Sequence, residues 1–592
     1  MITPIKEKNE LTTTELISFK KRQFLPENET LENFEAVKKY IDDLLSRNIE
    51  TTEDLKKWLH DREELEKVLS ERMERKYIAF TREATNQQLR KDYEEYFSKV
   101  VIPALESKHH LDQFYLSQPL REDLEGKIPG IDLYHRKLET NVEIFRKENI
   151  PLIEKDRKLG NDYSQLMGSL TVEWEGKELT LSQAQKHLRQ EKDRSKREQL
   201  YILINEKVIS HREDFHKLLD ELISLRHQIA QNTGFANYIQ YKWKSLHRFD
   251  YTVEDNKDFH RGISKYLKQK LNQYYGIIQE RHGVDALKPY DIVITNPRRG
   301  EPRIKGTQED FIKITIEVLR LVHPDFAHYI SYMAEHGFLD LFARKGKAPG
   351  GYNLFLKEIG IPFIFMNASG SFSDVRVIIH EAGHAVHDFL TRDMEFAFQR
   401  DFPIEIAEFA SQGMEYLTMR NWHLFLGDQD DYSTAVEDQL AGALRLLSHI
   451  ATIDAFQLWM YENPNHSWED RENAWLNVVK QFQPDIVDYS GFEDFRQTRW
   501  MQQLHIFEVP LYYIEYGISL LGALELYKNS LRDYDRAVEE YRKALSLGYT
   551  RSLPELYDAA GLTFYFGENK VKDISEFVWD RLSEAIGEEL PA

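Results

Sequence analysis

From Leu31 onward one pattern recurs through most of the chain. In LENFEAVKKYIDDLLSRN, residues 31–48, apolar residues fall three and four positions apart among charges, which places them on one face of an α-helix. The pattern runs to about Ile150, resumes from Ser182 to about Leu246, and dominates again after Asp374. A chain written this way buries helix against helix, so the expected class is mainly α.

Three stretches interrupt it. SLTVEWEGKELTLSQ, residues 169–183, alternates apolar and polar positions on either side of Glu175, Gly176 and Lys177, which predicts a β-hairpin. HGVDALKPYDIVITNPRRGEP, residues 282–302, is rich in Pro and Gly and reads as a linker or a surface loop between lobes. RKGKAPGGYNLFLKEIGIPFIFMNASGSFSD, residues 344–374, holds two short β-prone runs separated by glycine and proline, a second candidate sheet. Within the helical stretches, Gly234 suits a helix C-cap before Phe235.

Composition narrows the chemistry. With 99 acidic against 78 basic residues the formal charge is -21, which repels phosphate backbones and anionic lipid, so neither nucleic acid nor a membrane surface is an expected partner. No apolar run reaches 18 residues and the opening MITPIKEKNE has no apolar core, so the cytoplasm is the expected location. The chain has no cysteine, so any metal site must be built from His, Asp and Glu.

VIIHEAGHAVHDFL, residues 377–390, offers such a site. His380 and His384 are i and i+4 on one helix and can converge on one ion, while Glu381 can reach a water on the ion's open side and serve as general base. Chance alone gives roughly 0.07 such motifs in a chain with this histidine content. Two features argue for a built site. Gly383 in mid-helix costs roughly 1 kcal/mol against alanine, so something is expected to approach the backbone there. The neighbours Val377, Ile378, Ile379, Ala382, Ala385 and Phe389 are apolar, so Glu381 is expected to be buried, which needs a reason.

A hydrolytic zinc site takes three protein ligands and keeps one position open. FPIEIAEFASQGMEYL, residues 402–417, follows about one helix length later with Glu405, Glu408 and Glu415 in an apolar pattern. Glu408 and Glu415 are seven apart and share a face, which suits one ligand and one residue that orients a ligating histidine, although spacing alone leaves the choice open. His387, seven past His380, is expected to be structural, since a fourth protein ligand would close the site to water.

HEAGHAVH followed 28 residues after His380 by Glu408 in AEFASQGME resembles the thimet oligopeptidase and oligoendopeptidase F family of zinc peptidases. The 169–183 hairpin, LRHQIAQNTGFANY and SLPELYDAAG also look like this family, mainly its oligoendopeptidase F branch, with the likeness covering about residue 160 to the end. The resemblance implies Glu408 as third ligand of a single zinc ion and Glu415 as the non-ligating glutamate. It implies a fold of two helical lobes enclosing a deep substrate channel, with a small antiparallel sheet near the active site. An edge strand at residues 362–367 would then hold the oligopeptide substrate by main-chain hydrogen bonds. LHIFEVPLYYIEYG, residues 504–517, matches the family's histidine and tyrosines that stabilise the oxyanion, which implies His505 and Tyr512, then Tyr516, with Tyr513 a competitor. Tyr512 and Tyr516 are i and i+4, and Pro510 suits the first turn of a helix carrying both.

The expected organisation is an N-terminal helical lobe, residues 1–190, followed by a zinc peptidase catalytic domain, residues 191–592. The expected activity is endopeptidase cleavage of short unfolded peptides. A zinc carboxypeptidase of related architecture and an inactive helical peptide-binding scaffold are the rivals.

Overall fold

Helices form wherever the three-and-four spacing holds, and the computed structural model, which describes residues 21–297 and 300–587, is mainly helical. The MITPIKEKNE opening and Arg298 and Arg299 of the 282–302 stretch lie outside the described residues. Among the helices are α1 (Thr52–Arg82), α2 (Arg212–Asn232), α3 (Phe372–Thr391), α4 (Ile404–Thr418), α5 (Gln429–Glu462), α6 (Ile514–Ser530) and α7 (Tyr534–Ser546). The strands are β1 (Thr171–Trp174), β2 (Lys177–Thr180), β3 (Leu339–Phe342), β4 (Tyr352–Leu356) and β5 (Ile361–Ala368).

The chain divides into two compact units. One is built from the residues up to Glu143 with Ile304–Phe425 and Leu526–Phe564, the other from Ile144–Arg303, Leu426–Glu525 and the residues from Tyr565. In the first unit, Trp58 of α1, Leu44, Tyr115, Leu124 and Ile131 share one apolar core with Phe396, just past α3. The N-terminal helices therefore pack in the same unit as the HEAGH helix.

β1 and β2 pair antiparallel with Trp174 opposite Lys177. Glu175 and Gly176 between them both have positive φ, 50° and 77°, the backbone of a two-residue hairpin turn that matches strand twist. Gly234, with φ 86°, ends α2 in the expected way. The 282–302 stretch is tied to its own unit: Asp291, fully buried, accepts hydrogen bonds from Arg194 and Arg197 at 2.8–3.2 Å.

The second sheet differs from expectation in three respects. Its strand order is β3-β5-β4, with β4 antiparallel to β5 but β3 parallel to it, so the sheet is mixed. The four-residue β3, LDLF, lies outside the two expected runs. β5 carries residues 362–367 and is the central strand, buried on both faces, so the segment expected at an edge has a neighbour on each side.

Candidate active site

The turn after β5 fixes where α3 begins. Ser371 caps the helix, and one oxygen of Asp374 accepts from the backbone N–H groups of Ser369, Gly370 and Ser371 at 2.8–2.9 Å. Ile378, Ile379, Ala382, Ala385 and Phe389 are buried, as is Glu381, whereas Val377, expected among them, is 37% exposed. The close approach at Gly383 is the crossing with α4. A Cβ there would sit 2.6 Å from both the Ala410 carbonyl oxygen and Ser411 Cα, so only glycine lets the helices come this near. Tyr541 of α7 donates to the same Ala410 carbonyl at 2.5 Å.

That crossing brings the two halves of the motif together. The donor atoms of His380, His384 and Glu408 all lie within 4.8 Å of one another, and His380 Nε2 is 3.5 Å from Glu408 Oε2. Ligands at roughly 2.0–2.2 Å on a tetrahedral ion stand about 3.4 Å apart, so this donor set fits a metal of zinc's size and preference. His380 Nδ1 is 2.8 Å from Glu415 Oε1, an arrangement that holds a proton on Nδ1, so that Nε2, which shares a proton with Glu408 in the ion-free site, could give its lone pair to a metal. Glu405, Glu408 and Glu415 are all buried, so none of the three is a solvated surface charge. His387 is stacked on Phe402 at 3.7 Å and is not in the group that lies together.

The electrostatics follow from burial beside paired carboxylates. Burial would lower His380, but its hydrogen bonds to Glu408 and Glu415 outweigh this and raise it. Burial brings His384 down to about 4, with Glu408 and a hydrogen bond to the Ala407 backbone opposing. Glu408 is held below its usual range because His380 and His384 outweigh the cost of burying it. Burial pushes the Glu381 carboxyl up to about 7, against the pull of His380 and helped by Glu408 and Glu415. Buried His and carboxylate side chains of this kind suit a cation that satisfies them together.

The remaining expected residues lie in the second unit. His505 is in a short helical turn, Leu504–Phe507, and α6 begins only at Ile514, so Pro510, Tyr512 and Tyr513 precede that helix and Tyr516 sits in its first turn. The rings of Tyr512, Tyr513 and Tyr516 surround His505 at centroid distances of 6.4, 4.6 and 5.9 Å. Tyr513 is buried, while Tyr512 and Tyr516 are partly exposed. Sequence reasoning missed what holds this segment. Arg226 of α2, fully buried, donates to the carbonyls of Ile506 and Phe507, and Arg248 donates to the Leu511 carbonyl at 2.6 Å. Gln457 of α5 accepts from Leu511 N–H at 2.8 Å, where Leu511 has a φ of 62°. No short-range pattern marks these partners, which are 54 to 281 residues away in sequence.

The model of peptidase family M3 matches residues 187–572, well over half of the chain. The chain belongs to peptidase family M3. Among curated relatives, an oligoendopeptidase F homolog of Mycoplasma genitalium is 21% identical over 318 residues, 50% of each chain. One of Borreliella burgdorferi is 20% identical over 532 residues, 84% of each. The chain thus spans about half the length of the first of these relatives. Among solved structures, PZ peptidase A with inhibitor 2 is similar over 93% of this chain and 97% of its own, with a TM-score of 0.86 and 27% identity. Membership of this family agrees with the motif that first suggested it, HEAGH followed by Glu408. Among the described residues no helix is long and apolar enough to cross a membrane.

Proposed function

We propose that the chain is a zinc-dependent endopeptidase that hydrolyses short unfolded peptides in the cytoplasm, with one zinc ion held by His380, His384 and Glu408. The observation that carries this reading is the convergence of these three side chains beside a buried glutamate, Glu381. A divalent ion there supplies a Lewis acid that acidifies water and polarises a carbonyl. The catalytic region is taken as residues 191–592, which the extent of the family match supports.

Glu381 accepts the proton from the attacking water and delivers it to the leaving amine. Burial pushes this carboxyl up to about 7 in the ion-free site, and the charge of a bound dication would draw it back toward a carboxylate able to take the proton. Glu415 orients His380 through Nδ1. His505, Tyr512 and Tyr516 donate to the oxyanion; the partial exposure of the two tyrosines supports choosing them over buried Tyr513. The substrate strand is assigned to β4 instead of residues 362–367. β4 is an edge strand, and a Cβ on Gly351, just before it, would lie 3.8 Å from Glu381 Oε1. Main-chain pairing there ignores side-chain identity, which suits varied oligopeptides.

The test is hydrolysis of an internally quenched peptide blocked at both ends, with metal content measured on wild type and Glu381→Gln. One zinc in each and cleavage by the wild type alone is the expected result. Cleavage only of peptides with a free C-terminus would turn the assignment to a carboxypeptidase, and equal cleavage by both proteins would remove Glu381 from the chemistry.

A further inference from the structure

A chain of three side chains in the second unit ends on His505. His449 of α5 has Nε2 3.0 Å from Gln503 Oε1, and Gln503 Nε2 is 2.8 Å from His505 Nδ1. Burial holds His449 below its usual range, so it is neutral and carries one N–H. With the Gln503 amide oxygen toward His449, that imidazole donates to it from Nε2 and the amide's NH2 faces His505. An NH2 group has only protons to offer, so His505 Nδ1 must accept and its own proton must sit on Nε2.

We propose that Gln503 is a positioning residue that locks His505 in the Nε2–H tautomer, with His449 setting which way the Gln503 amide faces. The inference rests on the reading of His505 as an oxyanion donor and explains how it stays one. With Nδ1 engaged, the far edge of the ring presents an N–H at all times, and no proton has to move when negative charge develops. The opposite tautomer would present a lone pair to that charge. Tyr513 completes the support: its ring packs edge-on against His505 at 4.6 Å and against His449 at 5.6 Å. The other groups around the chain are the Tyr513 hydroxyl, which shares a hydrogen bond with Gln503, the phenols of Tyr512 and Tyr516 and, on the His449 side, Arg499.

The experiment is two-bond 1H–15N correlation of the histidine rings in the full-length, zinc-loaded protein, with His505 identified by the resonances lost in His505→Phe. The wild type is expected to show His505 protonated on Nε2. In Gln503→Glu a carboxylate of nearly the same size demands a proton from Nδ1. The tautomer is expected to flip, and kcat to fall roughly 100- to 1,000-fold with KM within a few fold, the scale of losing one oxyanion donor. Gln503→Leu should leave a mixture of tautomers and a smaller loss. A wild-type His505 protonated on Nδ1, or a Gln503→Glu protein that keeps the Nε2 proton, overturns the inference. Full kcat in His505→Phe instead removes the parent reading, while the tautomer is read from the spectrum regardless.

Discussion

His380 Nδ1 lies 2.8 Å from Glu415 Oε1, while Nε2 of the same ring points toward Glu408, seven residues earlier on the helix that carries Glu415. In the proposed zinc site, one helix face would thus supply both a ligand and the group that orients another ligand. Replacing such an orienting partner typically costs 10- to 100-fold in metal affinity. Glu415→Leu is therefore expected to weaken zinc binding by about that factor in a chelator competition, and Glu415→Gln, which still offers an acceptor, by less. Unchanged affinity in Glu415→Leu would show that His380 needs no help in orienting.

Gly383 sets how closely α3 and α4 cross. On helix propensity alone Gly383→Ala should stabilise by roughly 1 kcal/mol. Its Cβ, however, would meet backbone at 2.6 Å, and backbone cannot step aside as a side chain can. The contact wins, with a net loss of about 1–3 kcal/mol, typical of overpacking. The same displacement moves His384 away from Glu408. Thermal denaturation should show a lower midpoint, and zinc titration a weaker site; a higher midpoint would mean that the crossing has slack.

What the sequence discloses and what it hides divides along range. The HEAGH helix, the hairpin turn at Glu175 and Gly176, and the buried glutamates of α4 are written in spacings of two to seven residues, where backbone geometry alone decides which side chains meet. The resemblance implies an edge at residues 362–367, whereas β5 is central, because its parallel partner β3 is four residues of unremarkable sequence and strand neighbours are chosen by tertiary packing. The supports of His505 are polar contacts between distant segments, and Tyr513 differs from Tyr512 and Tyr516 by burial, which periodicity cannot assign outside a helix.

Arg248 and Glu515 are both buried, and their side chains meet at 2.8 Å while Arg248 also holds the Leu511 carbonyl. Removing one partner of a buried pair strands the other charge at a cost of about 3–5 kcal/mol. Arg248→Met should therefore lower the denaturation midpoint more than Arg248→Met combined with Glu515→Leu. It should also reduce kcat, because the backbone between His505 and Tyr512 loses an anchor. Equal midpoints for the single and double variants would show that Glu515 is solvated enough to stand alone.

Asp388 lies one turn beyond His384 and accepts from Asn353 Nδ2 of β4 at 2.7 Å. Burial pushes its carboxyl up to about 7, with the Asn353 bond opposing. A carboxyl whose folded value is raised holds its proton in the native state after the unfolded chain has released it. Its contribution to stability is thus full below the unfolded value of about 4 and is lost as pH rises toward 7. A shift of this size corresponds to at most about 4 kcal/mol. Asp388→Asn is neutral at every pH and keeps an amide where the protonated acid stood. Denaturation midpoints of variant and wild type should coincide near pH 4 and separate in the variant's favour between pH 5 and 8. A gap that stays constant across that range would mean that Asp388 is ionised in the folded protein and that its environment is wetter than its burial implies.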